Sequence, residues 1–385
     1  MGERGLFLRN AKVYNEGKFE EKTIEIKNGI IHLTEERKCP EGEQIDLKGK
    51  KLIPGFIDIH THGAAGIDVN AADEEGLAKI AEFFAKNGST SFLISVLTDS
   101  RESTRRCIET YRSFKKKNFP GAELLGIHLE GPFLAKEYKG AMPERFLKKG
   151  DLSLLKEYQS LAEGEIRYIT ISPEVEGVLE MIPDILALGI IPSIGHSGAT
   201  YESCMEAIAK GVKASTHTFN AMGLLHQHYP GVMGAVLESD VYCEAIFDGK
   251  HLHPGTVRLL LKTKGPERVI AITDSIMAAG LPDGRYKLGV NDVVVEDSDA
   301  KLADTGVRAG STLTMPRALE NIMRFTGLAL EEVIPLFSEN PAKLLGIFDR
   351  KGSIAEGKDA DLIVLNEENR MERVFVKGKI RECEA

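Results

Sequence analysis

Two histidines two residues apart, His60 and His62, follow the apolar run Ile53-Pro54-Gly55-Phe56-Ile57-Asp58-Ile59. On a strand this spacing places both imidazoles on one face, a geometry suited to a metal ion. A His-x-His pair alone arises by chance in many loops. Here it gains weight because later apolar runs also end in polar ligand types. Glu130 follows 124–129, His196 follows 190–194, His217 stands in 214–218, Asp248 and His251 follow 243–247, and Asp274 follows Val269–Ile272. Nine of the ten histidines lie at such ends or in the adjoining loops, and only His32 lies elsewhere.

Glu130, His196 and His217 supply one carboxylate and two neutral imidazoles. That is the ligand set of a catalytic divalent site with a position left for water, whose pKa the metal would lower. Nitrogen and oxygen ligands without a thiolate suit zinc, taken first, and also iron, cobalt, nickel or manganese. A carboxylate beside such a water, as Asp274 would be, can take its proton and pass it to a leaving group. An Asp at a strand end is also a common helix cap, but the surrounding histidines favour the catalytic reading. His128, two residues before Glu130, is assigned a structural role behind the ligands.

These residues need elements to position them. Eight strand candidates, 56–59, 91–96, 124–129, Ile166–Ile171, 190–194, 214–218, 243–247 and Val269–Ile272, alternate with amphipathic helical stretches such as Glu74–Lys86, 201–210 and 256–262. The expected fold class is α/β, a (β/α)8 TIM-type barrel over 54–346, with its chemistry at the C-terminal ends of the strands. No Gly-x-Gly-x-x-Gly turn follows the first strand, which argues against a doubly wound sheet. Residues 1–53 and 347–385 read instead as short strands and turns, including an Asn28-Gly29 hairpin signal. Each end is too small to bury a core, so the two are expected to pair into one small β-sandwich domain.

At 385 residues the chain has room for both parts. A formal net charge of -9 argues against non-specific nucleic-acid binding, and no apolar run is long enough for a membrane span. Met1-Gly2-Glu3-Arg4-Gly5 lacks a secretory pattern, so a cytoplasmic location is expected. Cys39, Cys107, Cys204, Cys243 and Cys383 are odd in number and scattered, which argues against disulfides and a zinc knuckle.

Several motifs carry a closer likeness: Pro54-Gly55-Phe56-Ile57-Asp58 before the His-x-His, His128-Leu129-Glu130-Gly131-Pro132-Phe133, Gly195-His196-Ser197, Thr216-His217-Thr218-Phe219-Asn220-Ala221-Met222, Asp248-Gly249-Lys250-His251, Thr273-Asp274 and Ala309-Gly310-Ser311-Thr312-Leu313. Together they resemble the N-acetylglucosamine-6-phosphate deacetylases of the amidohydrolase superfamily, over nearly the whole chain. The resemblance implies hydrolysis of an acetamido group on a small-molecule amino sugar, with Glu130, His196 and His217 as principal metal ligands and Asp274 as acid and base. His60 and His62 match positions that hold a second metal in some members, giving one or two ions per subunit. His251 matches a residue that polarises the acetyl carbonyl, Asn220 and Ala221 match contacts to the phosphate end, and Ala309 to Leu313 matches the acetyl-pocket loop. A homodimer is implied by the family's subunit-bridging loop. Two positions depart from the pattern. His228 stands where members carry an Arg for a neighbour's substrate phosphate, and Met142, beside Ala141, stands where a polar residue faces the sugar. The alternative substrate is therefore an unphosphorylated or differently substituted N-acyl amino sugar. A cyclic-amide hydrolase would be expected to carry a lysine at the end of the fourth strand, and Thr170-Ile171-Ser172-Pro173-Glu174 has none.

Overall fold

Eight parallel strands follow one another in chain order around one sheet: Phe56–Asp58, Ser89–Leu97, Glu123–Glu130, Ile166–Ile171, Ile191–Ile194, Ala214–Ser215, Tyr242–Ile246 and Val269–Ile272. The computed structural model describes residues 5–34, 42–117, 119–381 and 383. Met1 to Arg4 and Cys39 lie outside the described residues. Ser89–Leu97 is buried along its whole length, as expected for a strand covered on both faces. The first and eighth strands close the barrel just beyond their C-terminal ends. There the Asp274 N–H donates to the His60 carbonyl at 2.9 Å and the His62 N–H to the Ser275 carbonyl at 2.7 Å. The Asp58 carboxylate adds bonds from the Thr273 hydroxyl at 2.6 Å and the Thr273 N–H at 3.3 Å. The seam of the barrel and the His-x-His motif therefore share one set of hydrogen bonds.

Helices Glu74–Lys86, Tyr201–Ala209 and Pro254–Lys264 lie where the amphipathic pattern places them. Asp73 caps the first by accepting the Gly76 N–H at 2.8 Å, and Leu77, Ile80, Ala81 and Phe84 face inward. The sixth strand departs from expectation, since it spans only Ala214–Ser215 rather than 214–218. The chain turns out of extended geometry there, with φ of 27° at His217 and 79° at Phe219. A second departure is a three-stranded antiparallel sheet after the eighth strand, Gly284–Leu288, Asn291–Glu296 and Asp299–Leu302. Its buried Leu288, Val293, Val295 and Ala300 pack with Leu97, Leu134, Met142 and Ile276, and so wall one side of the barrel mouth.

Strands from both chain ends join in one eight-stranded sheet: Leu6–Asn15, Lys18–Lys27, Ile30–Thr34, Glu43–Asp46, Lys51–Pro54, Leu362–Leu365, Met371–Val376 and Lys379–Arg381. Alternation divides its side chains between two cores. Leu362, Val364 and Phe375 pack with Leu8, Ile24 and Ile31, whereas Ile363, Leu365, Val374 and Val376 join the barrel core. The sheet bends back so that the Ile31 N–H reaches the Lys358 carbonyl at 2.8 Å and the Ala360 N–H reaches that of Gly29 at 2.7 Å. Gly29 has φ of 77°, and a Cβ there would stand 2.9 Å from the Lys377 carbonyl oxygen, so the approach requires glycine.

A buried ion cluster ties this sheet to the barrel. The Lys351 ammonium, whose side chain is 1% exposed, contacts Glu123 at 2.8 Å, Asp359 at 2.9 Å and Asp361, and Arg350 joins Glu123 at 2.9 Å. Glu123, Asp359 and Asp361 are close enough together to suggest a cation site, but these two side chains already supply the positive charge. Lys351→Ala leaves three carboxylates without their shared partner. The expected cost is about 3–5 kcal/mol, read as a lower denaturation midpoint with little change in the slope of the transition.

Candidate metal centre and its cleft

Six side chains from five strand ends converge at the mouth of the barrel. They form two trios, His60 with His62 and Asp274, and Glu130 with His196 and His217. All six are 6% exposed or less. Three of them, His196, His217 and Asp274, hold φ of 49°, 27° and 50°, a left-handed backbone that non-glycine residues adopt at a cost. The turn at each strand end aims the side chain inward instead of letting it continue the pleat.

Hydrogen bonds fix where the ring nitrogens point. His62 donates its Nδ1–H to the Ser95 carbonyl at 3.0 Å, and His196 donates its own to the Tyr138 carbonyl at 2.8 Å. A carbonyl only accepts, so in the neutral ring each Nε2 presents a lone pair to the centre. His196 Nε2 stands 3.1 Å from His217 Nε2, and His60 Nε2 stands 3.2 Å from His62 Nε2. Glu130 bridges the trios, with one oxygen 3.0 and 3.1 Å from His196 and His217 and the other 3.1 Å from His62. Asp274 Oδ1 lies 3.3 Å from His62 and 3.4 Å from His60. Facing lone pairs and two carboxylates at such distances demand positive charge between them. The donor set therefore fits one or two divalent cations.

The same need appears in the proton affinities. Burial alone would lower His60, but Asp274, Glu244 and Glu130 raise it to about 9. Burial is likewise outweighed at His62, which Asp274 and Glu130 raise to about 10. Burial would raise Glu130, yet the bonds from His196, His217 and His62 hold it well below the usual carboxylate range. Asp274 is also lowered against burial, chiefly by His60 and then His62. It is thus an ionised carboxylate at neutral pH.

His128 proves to be a support behind the ligands. Its Nδ1 contacts the Ser95 hydroxyl at 2.8 Å and its Nε2 the Thr170 hydroxyl at 2.9 Å, so both nitrogens are occupied. Burial, followed by the neighbouring His60, pushes its pKa well below the ordinary value and keeps it neutral. The residue that sequence reasoning missed is Glu244. It lies in the middle of the seventh strand, between Cys243 and Ala245, whereas the search for chemistry followed strand ends. A carboxylate inside an otherwise apolar parallel strand was the available signal.

Above the trios opens a cleft of 490 Å³. His62, Glu130, His196, His217 and Asp274 form its floor, and Ala141, Met142, Asn220, Ala221 and His251 stand in its walls. His251 is oriented by Asp248, whose carboxylate meets Nδ1 at 2.6 Å while accepting the His251 and Lys250 N–H groups at 2.7 and 2.8 Å. That leaves Nε2 as the ring nitrogen open to a ligand. Two expected binding residues stand elsewhere. Leu313 is buried in the barrel core, although Ala309 and Gly310 of the same loop do line the cleft. His228 is on an exposed loop outside the cleft of its own subunit.

The model of the amidohydrolase family matches residues 52–381. N-acetylglucosamine-6-phosphate deacetylase of Lysinibacillus sphaericus is 37% identical over 383 residues, covering 98% of this chain and 97% of its own. Among solved structures, the N-acetylglucosamine-6-phosphate deacetylase of Pasteurella multocida superposes with a TM-score of 0.92 at 30% identity, covering 98% of this chain and all of its own. A mutant of the Mycobacterium smegmatis enzyme in complex with N-acetyl-D-glucosamine-6-phosphate superposes with a TM-score of 0.91 at 29% identity, again over 98% of this chain and 100% of its own.

Proposed function

We propose, from the premise that the chain belongs to the amidohydrolase family, that it hydrolyses the acetamido group of N-acetylglucosamine 6-phosphate to glucosamine 6-phosphate and acetate. It is a metal-dependent hydrolase acting on a carbon–nitrogen bond. The observation that carries the reading is the pair of ligand trios on the floor of a cleft with room for a sugar. Zinc is the proposed metal, in one or two ions per subunit, held by Glu130, His196 and His217 and by His60 and His62. A divalent cation there supplies positive charge that acidifies water and polarises the acyl oxygen.

The chain's own residues carry the rest. Asp274, ionised and fixed at the strand end, takes the proton of the attacking water and returns it to the sugar nitrogen as the carbon–nitrogen bond breaks. His251, held by Asp248 through Nδ1, turns Nε2 toward the acyl oxygen on which negative charge develops, and donates to it when the ring carries a second proton. Asn220 and Ala221 face the phosphate end, and Ala141 and Met142 bound the sugar. His228 shares its loop with Leu224, Leu225 and Tyr229, which are 85, 58 and 77% exposed. This apolar exposure supports a homodimer in which His228 serves the neighbouring cleft. No helix among the described residues is long and apolar enough to cross a membrane, and a cytoplasmic location is proposed.

The test is acetate release from N-acetylglucosamine 6-phosphate and from N-acetylglucosamine by the metal-loaded protein. A higher kcat/KM on the phosphorylated sugar is expected. Turnover of the plain sugar alone would instead establish an unphosphorylated N-acyl amino sugar as substrate and would mean that His228 does not replace the family's arginine.

A further inference from the structure

Glu244 is fully buried, and the ion pair its carboxylate makes is with His60. One oxygen accepts two hydrogen bonds, from His60 Nδ1–H and from the backbone N–H of His217, each at 3.0 Å. The other oxygen and the phenol of Tyr168 meet no partner at full hydrogen-bond geometry, although the phenol lies against Glu244, Ser193 and Thr216. Burial and the neighbouring Glu244 raise that phenol well above its ordinary pKa, so it stays neutral, and a tyrosine has no cationic form with which to balance the carboxylate. As a packing element such a group would be a liability, because a buried charge costs several kcal/mol unless an opposite charge is near. The nearest place for that charge is on the far side of His60, where Nε2 faces His62, Glu130 and Asp274.

We propose that Glu244 is the positioning residue of the His60–His62–Asp274 trio, committing it to hold a second divalent cation and joining it to the first trio. A carboxylate on Nδ1–H fixes the tautomer and the ring plane, makes Nε2 a better donor, and passes its negative charge through the imidazole to a cation. The backbone bond to His217 extends the arrangement. The side chain that aligns His60 also holds the turn presenting His217, a ligand of the other trio. One atom, Oε2 of Glu244, thereby contacts a member of each trio. This inference rests on the metal-dependent reading of the site and is independent of which sugar is hydrolysed.

The experiment titrates zinc into chelator-stripped protein against a chromogenic chelator, counting ions per subunit, for wild type, Glu244→Gln, His60→Asn and the double variant. Wild type is expected to take up two ions. Glu244→Gln, whose amide oxygen can still accept the His217 N–H, should keep the first and bind the second about 10- to 100-fold more weakly. In the His60→Asn background, adding Glu244→Gln should change the titration no further, because the route from carboxylate to ion is already cut. Unchanged binding of both ions by Glu244→Gln overturns the proposal, as does an additive loss in the double variant or a single ion in wild type. Uptake of no zinc by wild type would overturn the metal centre itself. If Glu244→Gln does not fold, Glu244→Asp, which withdraws the charge from His60 by one methylene, is read by the same criteria.

Discussion

Asp274→Asn is expected to lower kcat on N-acetylglucosamine 6-phosphate by about 10²- to 10⁴-fold, the usual contribution of a positioned acid and base. The substitution preserves shape and removes the negative charge together with the ability to accept a proton. The barrel seam at this position uses the backbone N–H of Asp274 to the His60 carbonyl, so closure survives the change. The result also decides between two roles for an Asp at a strand end. If Asp274 served as a helix cap, asparagine would serve equally well and activity would persist. Its folded carboxylate is held below the ordinary range despite burial, chiefly by His60 and then His62. It is therefore poised to accept a proton at neutral pH, and the acid form needed later arises only from the proton it takes. Steady-state kinetics of the purified variant, with zinc content checked beside wild type, measures the effect. A kcat within tenfold of wild type would remove Asp274 from the proton path.

The barrel was legible because each parallel strand is an apolar run between amphipathic helices, and a buried strand has little freedom to look otherwise. Ile166–Ile171 and Val269–Ile272 fall where the run predicts. The sixth strand was overextended because Thr216 and Thr218 have strand propensity, whereas a tertiary bond from the His217 N–H to Glu244 turns the chain. Local pattern carries no record of that bond. The six candidate site residues were legible for the same reason the strands were, since all stand at strand ends. Glu244 was not, because its role comes from a neighbour 184 residues away. In the sheet over 284–302 burial alternates at Val293, Val294 and Val295, but three valines in a row carry no such period in the sequence, and the sheet follows the eighth strand, where a simple barrel has only a loop and a helix. His228 shows a different limit, because a residue assigned to a neighbour's substrate has no visible work within its own subunit.

Stripping the metal with a chelator is expected to abolish acetate release and to lower the thermal midpoint, and zinc should restore both. An ion present at about a thousand times its dissociation constant stabilises the folded state by roughly 4 kcal/mol, which for a chain of this size shifts the midpoint by on the order of 5 °C. The stripped protein should nevertheless fold near neutral pH, because protons can take over part of the ion's work. His60 and His62, raised to about 9 and 10, would carry positive charge among Glu130, Asp274 and Glu244. A histidine whose pKa is higher in the folded state contributes stability that is complete below its unfolded value near 6.5 and is lost as pH rises through the folded value. The stripped protein should therefore melt progressively lower between about pH 7 and 10. The zinc-loaded protein should change much less over that interval, since the ion does not leave as a proton does. Differential scanning calorimetry of both forms across that range makes the comparison. Parallel pH curves would mean that the six groups do not share their charge with the bound ion, whereas divergent curves that meet again near pH 6.5 would show proton and metal competing for one site.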